Sequence, residues 1–200
     1  MRAILAAVAL VQALITGADC LLCEKCLASG TSQCSGIFKQ CSPDVTHCIK
    51  GLENNTLGRD VILTAYKDCL DPSLVETCGK DSSSKTSFHY VAVTSICCDS
   101  DLCNTGDLQV PAVDENPNGY KCEDCFSNQS GDDCTAGREV QCTGEHNTCV
   151  RFTGTGSRPG EPVLQYIIRG CGSQDYCKYF HLVRTQVYSY DLQCSPAKTL

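Results

Sequence analysis

The spacing of apolar and polar residues predicts a chain built of β-strands. The run from Ser87 to Cys98 is rich in β-branched and aromatic residues, and so is the run from Val163 to Ile168, as expected of strands. Two polar or glycine-rich stretches, 52–59 and 153–162, each separate two strand-like runs, and we expect them to form the tips of long hairpins. No window after the N-terminal segment shows a sustained helical period, so the pattern predicts an all-β protein.

The N-terminal segment has the pattern of a signal peptide. An apolar stretch from Ala3 to Ile15 follows a basic residue and precedes three small residues, and it is shorter than the roughly 20 residues of a bilayer span. Cleavage could follow Ala18 or Cys20. We predict a signal peptide over residues 1–20, because loss of Cys20 leaves an even number of cysteines; otherwise its odd thiol could join two copies of the chain. No hydrophobic tail of a lipid-anchor signal closes the sequence, so we expect a freely secreted protein.

The cysteine content indicates that the predicted β-protein is cross-linked by disulfides. The 200 residues include 19 cysteines, no tryptophan and 6% aromatic residues, a composition typical of a disulfide scaffold. Such scaffolds persist in oxidising compartments. They also suit folded units of about 90 residues, which are too small to rely on an apolar core alone.

The chain contains one unit twice. Between successive cysteines lie 2, 7, 6, 6 and 20 residues from Cys23 onward, and 2, 8, 7, 6 and 21 residues from Cys122 onward. Between the repeats, residues 105–119 carry two prolines, several acidic residues and neither cysteine nor a basic residue, which predicts an extended linker. We therefore expect domain 1 at 21–104, a linker at 105–119 and domain 2 at 120–200.

This cysteine spacing, with the doublet Cys97-Cys98 and the pair Cys103-Asn104, resembles the three-finger domain of lymphocyte-antigen-6 proteins and the urokinase receptor. The resemblance implies a disulfide knot from which three β-loops project in each of two tandem domains. Domain 2 lacks the last cysteine pair and its asparagine, so its C-terminal edge is expected to be looser. Spacing alone leaves many connectivities open. By resemblance, the pairs are Cys23–Cys48, Cys26–Cys34, Cys41–Cys69, Cys78–Cys97, Cys98–Cys103, Cys122–Cys149, Cys125–Cys134, Cys142–Cys171 and Cys177–Cys194.

A ten-cysteine domain followed by an eight-cysteine domain and a soluble end is similar to the gamma-type phospholipase A2 inhibitors. The resemblance extends to Asn118-Gly119-Tyr120 and Arg169-Gly170-Cys171. It implies a contact with phospholipase through the proline-rich linker, here through Val110, Pro111, Val113 and Pro117. The same architecture, with the ending Gln193-Cys194-Ser195-Pro196, also resembles the sodefrin-precursor-like factors of amphibians, which are secreted courtship signals.

Catalytic and nucleic-acid functions find no support in the sequence. The two Cys-x-x-Cys pairs match redox or zinc motifs only superficially, and the four histidines, at 47, 89, 146 and 181, show no metal-ligand spacing. A nucleophile elbow of the Gly-x-Ser-x-Gly type is absent from the sequence, so we expect neither an enzyme nor a cofactor nor a metal site. The net charge of −7 disfavours binding to nucleic acid and indicates either a surface that keeps the protein soluble or long-range steering of a basic partner.

Binding to another protein is the remaining expectation. The sequons at Asn54 and Asn128 predict two glycosylation sites. Two function hypotheses remain open: a secreted inhibitor of phospholipase A2 and a secreted chemosignal read by a receptor. A third, a soluble adhesion module like the urokinase receptor, ranks below them because that receptor has a third domain.

Overall fold

The computed structural model describes residues 20–129, 134, 137–182, 184 and 186–200, and these are mostly β-structure. The predicted signal peptide lies outside the described residues except for Cys20. Within the described residues there are thirteen strands: β1 (Leu22–Ser29), β2 (Ile37–Gln40), β3 (Cys48–Leu57), β4 (Asp60–Cys69), β5 (Ser82–Lys85), β6 (His89–Cys98), β7 (Pro117–Glu123), β8 (Cys125–Ser127), β9 (Glu139–Thr143), β10 (His146–Ser157), β11 (Leu164–Ser173), β12 (Gln186–Pro196) and β13 (Lys198–Thr199).

Helical structure in the described residues is confined to segments of six residues or fewer. The described residues hold two 3-10 segments, Pro72–Thr77 and Phe180–Leu182, and one turn of α-helix, α1 (Tyr176–Tyr179). The sequence pattern did not predict these turns, because they are shorter than the window over which a helical period can be read. No helix among the described residues has the length and apolarity needed to span a membrane.

Ten strands form one continuous antiparallel sheet that runs through both domains. Its order is β12-β10-β11-β5-β6-β3-β4-β1-β2, with β8 paired to β11 beside this path. A second sheet of domain 2 has the order β13-β7-β9. The strand predicted from the run from Ser87 to Cys98 is present as β6, where Val91 and Val93 are buried. The run from Val163 to Ile168 likewise belongs mostly to β11.

The hairpin tips are narrower than the sequence predicts. In domain 1, β3 and β4 pair as far as Leu57 and Asp60, so only Gly58 and Arg59 form the turn. The polar residues before them stay in the strand because β3 pairs on its other side with β6 along its whole length. Gly58 takes a positive φ of 60°, a conformation that glycine adopts at little cost. In domain 2, β10 continues to Ser157 because it pairs with both β11 and β12.

Nine disulfides lie at the base of the fingers. They join the pairs that the family resemblance implies, namely Cys23–Cys48, Cys26–Cys34, Cys41–Cys69, Cys78–Cys97, Cys98–Cys103, Cys122–Cys149, Cys125–Cys134, Cys142–Cys171 and Cys177–Cys194. Cys20 is the free cysteine. Each cross-link adds about 2–4 kcal/mol to the free energy of unfolding of a domain this small.

The C-terminal edge of domain 2 is held without the missing disulfide, contrary to the expectation of a looser edge. In domain 1, the Asn104 amide donates to the carbonyl oxygens of Glu24 and Ile49 and accepts from the Glu24 N–H at 2.9 Å. In domain 2, the chain end forms β13, which pairs with β7, and Leu200 N–H donates to Gly119 O at 3.0 Å. Backbone pairing therefore anchors the C-terminal edge of domain 2, as the Asn104 side chain anchors that of domain 1.

An ion pair is repeated in the two domains and explains a repeated sequence feature. Glu24, which directly follows the first disulfide cysteine of domain 1, accepts from Lys67 Nζ at 3.0 Å, and both side chains are buried. Lys67 also donates to the Cys34 carbonyl at 2.8 Å. The equivalent pair in domain 2 is Glu123 with Arg169. Since each cation precedes a disulfide cysteine by two residues, the pair links finger one to finger two in both halves.

The two domains share a sheet. Ser84 pairs with Gly172 and Lys85 with Cys171, so β5 of domain 1 joins β11 of domain 2. Gly170 permits this approach, because a Cβ built there would lie 2.9 Å from the Lys85 carbonyl carbon and closer still to its oxygen. The glycine before Cys171 therefore has a structural role in the joint between the domains.

The two domains also share apolar cores. Tyr179 of α1 lies in a buried cluster of domain 1 that includes Tyr66 and Val93, and Tyr176 packs with Val91 and Val150. The guanidinium of Arg184 lies 3.9 Å from the centre of the Tyr66 ring, a cation–π geometry. The helical turn of domain 2 thus covers apolar surface that domain 1 would otherwise expose.

A buried arginine completes this joint. Arg158, at the tip of finger two in domain 2, donates from Nε to Asn55 Oδ1 at 2.9 Å and from Nη2 to Asn55 O at 3.2 Å. Its Nη2 also lies 3.0 Å from Asp60 Oδ2, and its Nη1 lies 2.5 Å from Glu161 Oε1. Together with the shared sheet and core, these contacts fix how the domains sit, and the linker runs along one side of the joint.

Candidate functional site

The first half of the linker is anchored to domain 1. Asp107 accepts from the Cys34 N–H at 3.2 Å and lies 3.4 Å from Lys67 Nζ. Leu108 packs against a buried cluster that contains Leu52 and Ala65. The linker therefore leaves domain 1 from a fixed point.

The second half of the linker is anchored as well. Asp114 Oδ1 accepts from the Asn116 N–H at 2.9 Å, and Asn116 O accepts from the Gly144 N–H at 3.0 Å. Glu115 forms an ion pair with Lys85 of domain 1. The linker does not extend to residue 119 as the sequence suggests, because β7 begins at Pro117, where it pairs with Thr143.

Between these anchors the linker forms one wall of a groove, which we call the linker groove. It has a volume of about 170 Å³ and lies between the linker, the face of β3, β5 and β6, and the start of β10. Its lining residues are Leu52, Asn54, Asp81, Ser82, Ser83, Tyr90, Ala92, Val93, Thr94, Pro111, Ala112, Val113, Asp114, Thr143, Gly144, Glu145, His146 and Ser173.

The structure brings three of the four predicted linker contacts to this groove or beside it. Pro111 and Val113 line it, and Val113 is 37% exposed. Val110 is adjacent in sequence and 43% exposed. Pro117 is exposed but lies in β7 and does not line the groove.

Buried polar groups line the groove from both domains. Thr143 Oγ1 and His146 Nδ1 are buried and have no hydrogen-bond partner among the described residues. The other ring nitrogen of His146, Nε2, lies 2.8 Å from Ser83 Oγ of domain 1. Burial, with a further contribution from Lys85, lowers the pKa of His146 to about 4, so the ring is neutral at physiological pH.

The charged side chains that line the groove all carry one sign, while Lys85, which pairs with Glu115, lies beyond the lining but close enough to act on His146. Asp81, Asp114 and Glu145 line the groove with exposed side chains, and none of the lining residues, all of which belong to the described part of the chain, is lysine or arginine. Sequence reasoning missed Asp81, Glu145 and His146. No local motif marks them, because they meet only when the two domains are placed side by side.

The two predicted glycosylation sites have different surroundings. Asn54 is half-buried in the central strand β3 rather than at the hairpin tip, accepts from Thr56 Oγ1 at 2.8 Å, and lines the linker groove. A glycan there would compete with any partner in the groove. Asn128 directly follows β8 and is half-buried, while Ser130 of its sequon lies outside the described residues.

Cysteine clusters in the described residues are disulfides rather than open ligand sets. The sulfurs of Cys23, Cys41 and Cys69 lie together, as do those of Cys122, Cys142 and Cys171. All six belong to disulfides, and a metal requires the free thiolate. Their proximity follows from the packing of neighbouring disulfides at the base of the fingers.

A comparison with family profiles agrees with two tandem domains. The profile of the u-PAR/Ly-6 domain matches the chain twice, at residues 19–106 and 118–199. A solved structure, the crystal structure of mouse TEX101, is similar at 16% sequence identity over 90% of this chain and 99% of that chain, with a TM-score of 0.39.

Proposed function

We propose, from the premise that this chain belongs to the u-PAR/Ly-6 family, that it is a secreted, non-enzymatic protein that binds another protein through the linker groove. Proteins with these domains are typically extracellular or surface proteins that bind partners. The finer proposal is inhibition of a secreted phospholipase A2, with the linker and the neighbouring fingers covering the entrance to the active site of that enzyme.

One observation supports the proposal above the others: the exposed apolar part of the linker is held in place at both ends. Val110 and Val113 lie between the anchor at Asp107 and the anchor at Asn116. Because the segment is ordered before it meets a partner, binding costs less conformational entropy. The proline between the valines restricts the backbone further.

The shared sheet supports the same conclusion. A partner that contacts both the linker and the fingers needs the two domains to keep one arrangement. The pairing of β5 with β11 and the insertion of Tyr179 into domain 1 provide that arrangement. The acidic groove wall and the net charge of −7 favour a basic surface on the partner.

The proposal is tested by titrating the disulfide-intact protein against a panel of secreted phospholipases A2, with binding and residual hydrolysis recorded together. We expect saturable loss of hydrolysis near a one-to-one ratio. Binding that leaves hydrolysis intact would replace inhibition by a carrier function. If no phospholipase binds, the proposal fails and the chemosignal hypothesis takes its place.

The contact surface is tested by V110D/V113D. Each valine buries part of its side chain on binding, at about 25 cal/mol per Å² of apolar surface, so losing both contacts should weaken binding more than about tenfold. The matched control is V61D, since Val61 is an exposed valine on β4 that does not line the groove. Equal inhibition by wild-type protein and V110D/V113D would show that the linker is not the contact.

A further inference from the structure

The linker groove has the chemistry of a pocket for a positively charged side chain. Its three charged lining residues, Asp81, Asp114 and Glu145, are all acidic and exposed, and they surround the opening from domain 1, the linker and domain 2. The carboxylates lie too far apart to hold one metal ion, since no cluster of His, Asp or Glu ligand atoms within 4.8 Å of one another includes them in the described residues.

Two residues that line the groove each hold a buried polar atom with no hydrogen-bond partner among the described residues. An unsatisfied buried polar atom costs about 1–3 kcal/mol, so Thr143 Oγ1 and His146 Nδ1 would gain from a ligand that brings hydrogen-bond donors. Hydroxyl oxygens and a neutral imidazole can all accept hydrogen bonds. An ammonium or guanidinium group presents three or five N–H donors and no acceptor.

The remaining walls suit an aliphatic stem. Pro111, Ala112, Val113 and Ala92 give the groove apolar sides. Lysine and arginine place their methylene groups along such surfaces while the charged head finds polar partners. A volume of about 170 Å³ corresponds to the bulk volume of about six water molecules, which is enough for one such side chain.

We propose that the linker groove receives an arginine or lysine side chain of the protein partner, with the three carboxylates around the opening and the acceptors of Thr143 and His146 inside. This inference rests on the proposed function, because it takes the occupant to be part of a protein. It adds to that function the chemical identity of the residue that anchors the partner.

The test begins with a probe that needs no partner. Nα-acetyl-arginine methylamide is titrated into the full-length, disulfide-intact protein and followed by amide chemical shifts. We expect shifts at residues 81–83, 111–114 and 143–146. The isosteric, neutral Nα-acetyl-citrulline methylamide should bind about tenfold more weakly, the effect of one charged contact worth about 1.4 kcal/mol. Equal binding of the two probes, or shifts elsewhere on the molecule, would overturn the proposal.

Variants then test the carboxylates. D81N/D114N/E145Q should lower the affinity for the arginine probe about tenfold. The control D44N/D99N/E76Q removes the same number of charges from exposed positions outside the groove and should leave the affinity within about twofold. A loss of the same size in both variants would mean that only net charge matters, and this would contradict a pocket.

The partner distinguishes the two proposals. If D81N/D114N/E145Q loses the arginine probe but binds a phospholipase as tightly as wild type, the partner does not use the groove and this inference is wrong while the proposed function stands. If wild-type protein binds no phospholipase, the proposed function fails, and the probe titration still decides whether the groove takes a cation. A third outcome concerns small amines. If free agmatine binds as tightly as the acetylated probe, and D81N/D114N/E145Q keeps the wild-type affinity for the protein partner, the ligand of the groove is a free amine and the inference is again wrong.

Discussion

Arg158 should be a principal stabilising contact between the domains, and its replacement tests the account of the joint. The side chain is 3% exposed, and methionine would keep most of its apolar length while removing the guanidinium. The variant R158M loses two hydrogen bonds to Asn55 and the ion pairs with Asp60 and Glu161.

The magnitude follows from the surroundings of each contact. The two hydrogen bonds to Asn55 are buried and involve a charged donor, so each contributes about 1.5 kcal/mol. The side chain of Asp60 is 62% exposed, and screening by water limits that ion pair to less than about 1 kcal/mol. We therefore expect R158M to lower the free energy of unfolding by about 2–4 kcal/mol.

The assay is guanidinium unfolding with the disulfides intact, followed by near-ultraviolet circular dichroism of the eight tyrosines, since the chain has no tryptophan. Wild-type protein should unfold in one transition because the domains share a core, and R158M should show an earlier or divided transition. The control R151M replaces an arginine whose side chain is 62% exposed and should change stability by less than about 1 kcal/mol. A value for R158M within 0.5 kcal/mol of wild type, or no larger than that of R151M, would refute the reasoning.

Three further predictions concern the joint, its histidines and the glycan. The variant G170A should separate β5 from β11, because the added Cβ meets the Lys85 carbonyl. Small-angle scattering should show a larger radius of gyration while all nine disulfides form. An unchanged radius of gyration would contradict this prediction. Burial is the main cause that lowers the pKa values of His89 and His146 to about 4 in the folded protein, whereas the pKa of an unfolded histidine is about 6.5. Between these two pKa values the unfolded state binds more protons than the folded state. The free energy of unfolding should therefore fall from pH 6.5 to pH 4, by up to about 3 kcal/mol for each ring. A flat unfolding free energy across that range would show that the rings are accessible to water. Blocking glycosylation with N54Q should leave partner binding equal or stronger, and weaker binding would mean that the glycan is part of the contact.

The cysteines of the sequence were enough to predict the fold of each domain. The contacts between the two domains could not be predicted from the sequence. The repeated spacing carries the family resemblance, and the nine pairs are what that resemblance implies, since spacing alone leaves many connectivities open. Asn54 was expected at a hairpin tip because its neighbours are polar, yet it lies in β3, where pairing with two strands outweighs local polarity. Propensity yields to tertiary context in this way wherever a strand is central.

Some residues of the candidate site and of the joint between the domains could be identified from the sequence, and others could not. Val110, Pro111 and Val113 could be identified from the linker composition and the resemblance. Arg158 and His146 could not, because a histidine or an arginine near a turn has no distinctive local pattern. Their roles depend on residues about 100 and 60 positions away in domain 1, and no spacing rule in one chain reports such contacts.

The most direct test of the central claim is hydrogen exchange of the full protein alone and with a saturating amount of the phospholipase that it binds most tightly in titration. The account predicts slower exchange at residues 109–116, 81–83 and 143–146, with little change at the hairpin turn of residues 58–59. Protection confined to the hairpin tips, or no change at any residue of the linker groove, would contradict the claim that the linker groove is the binding surface.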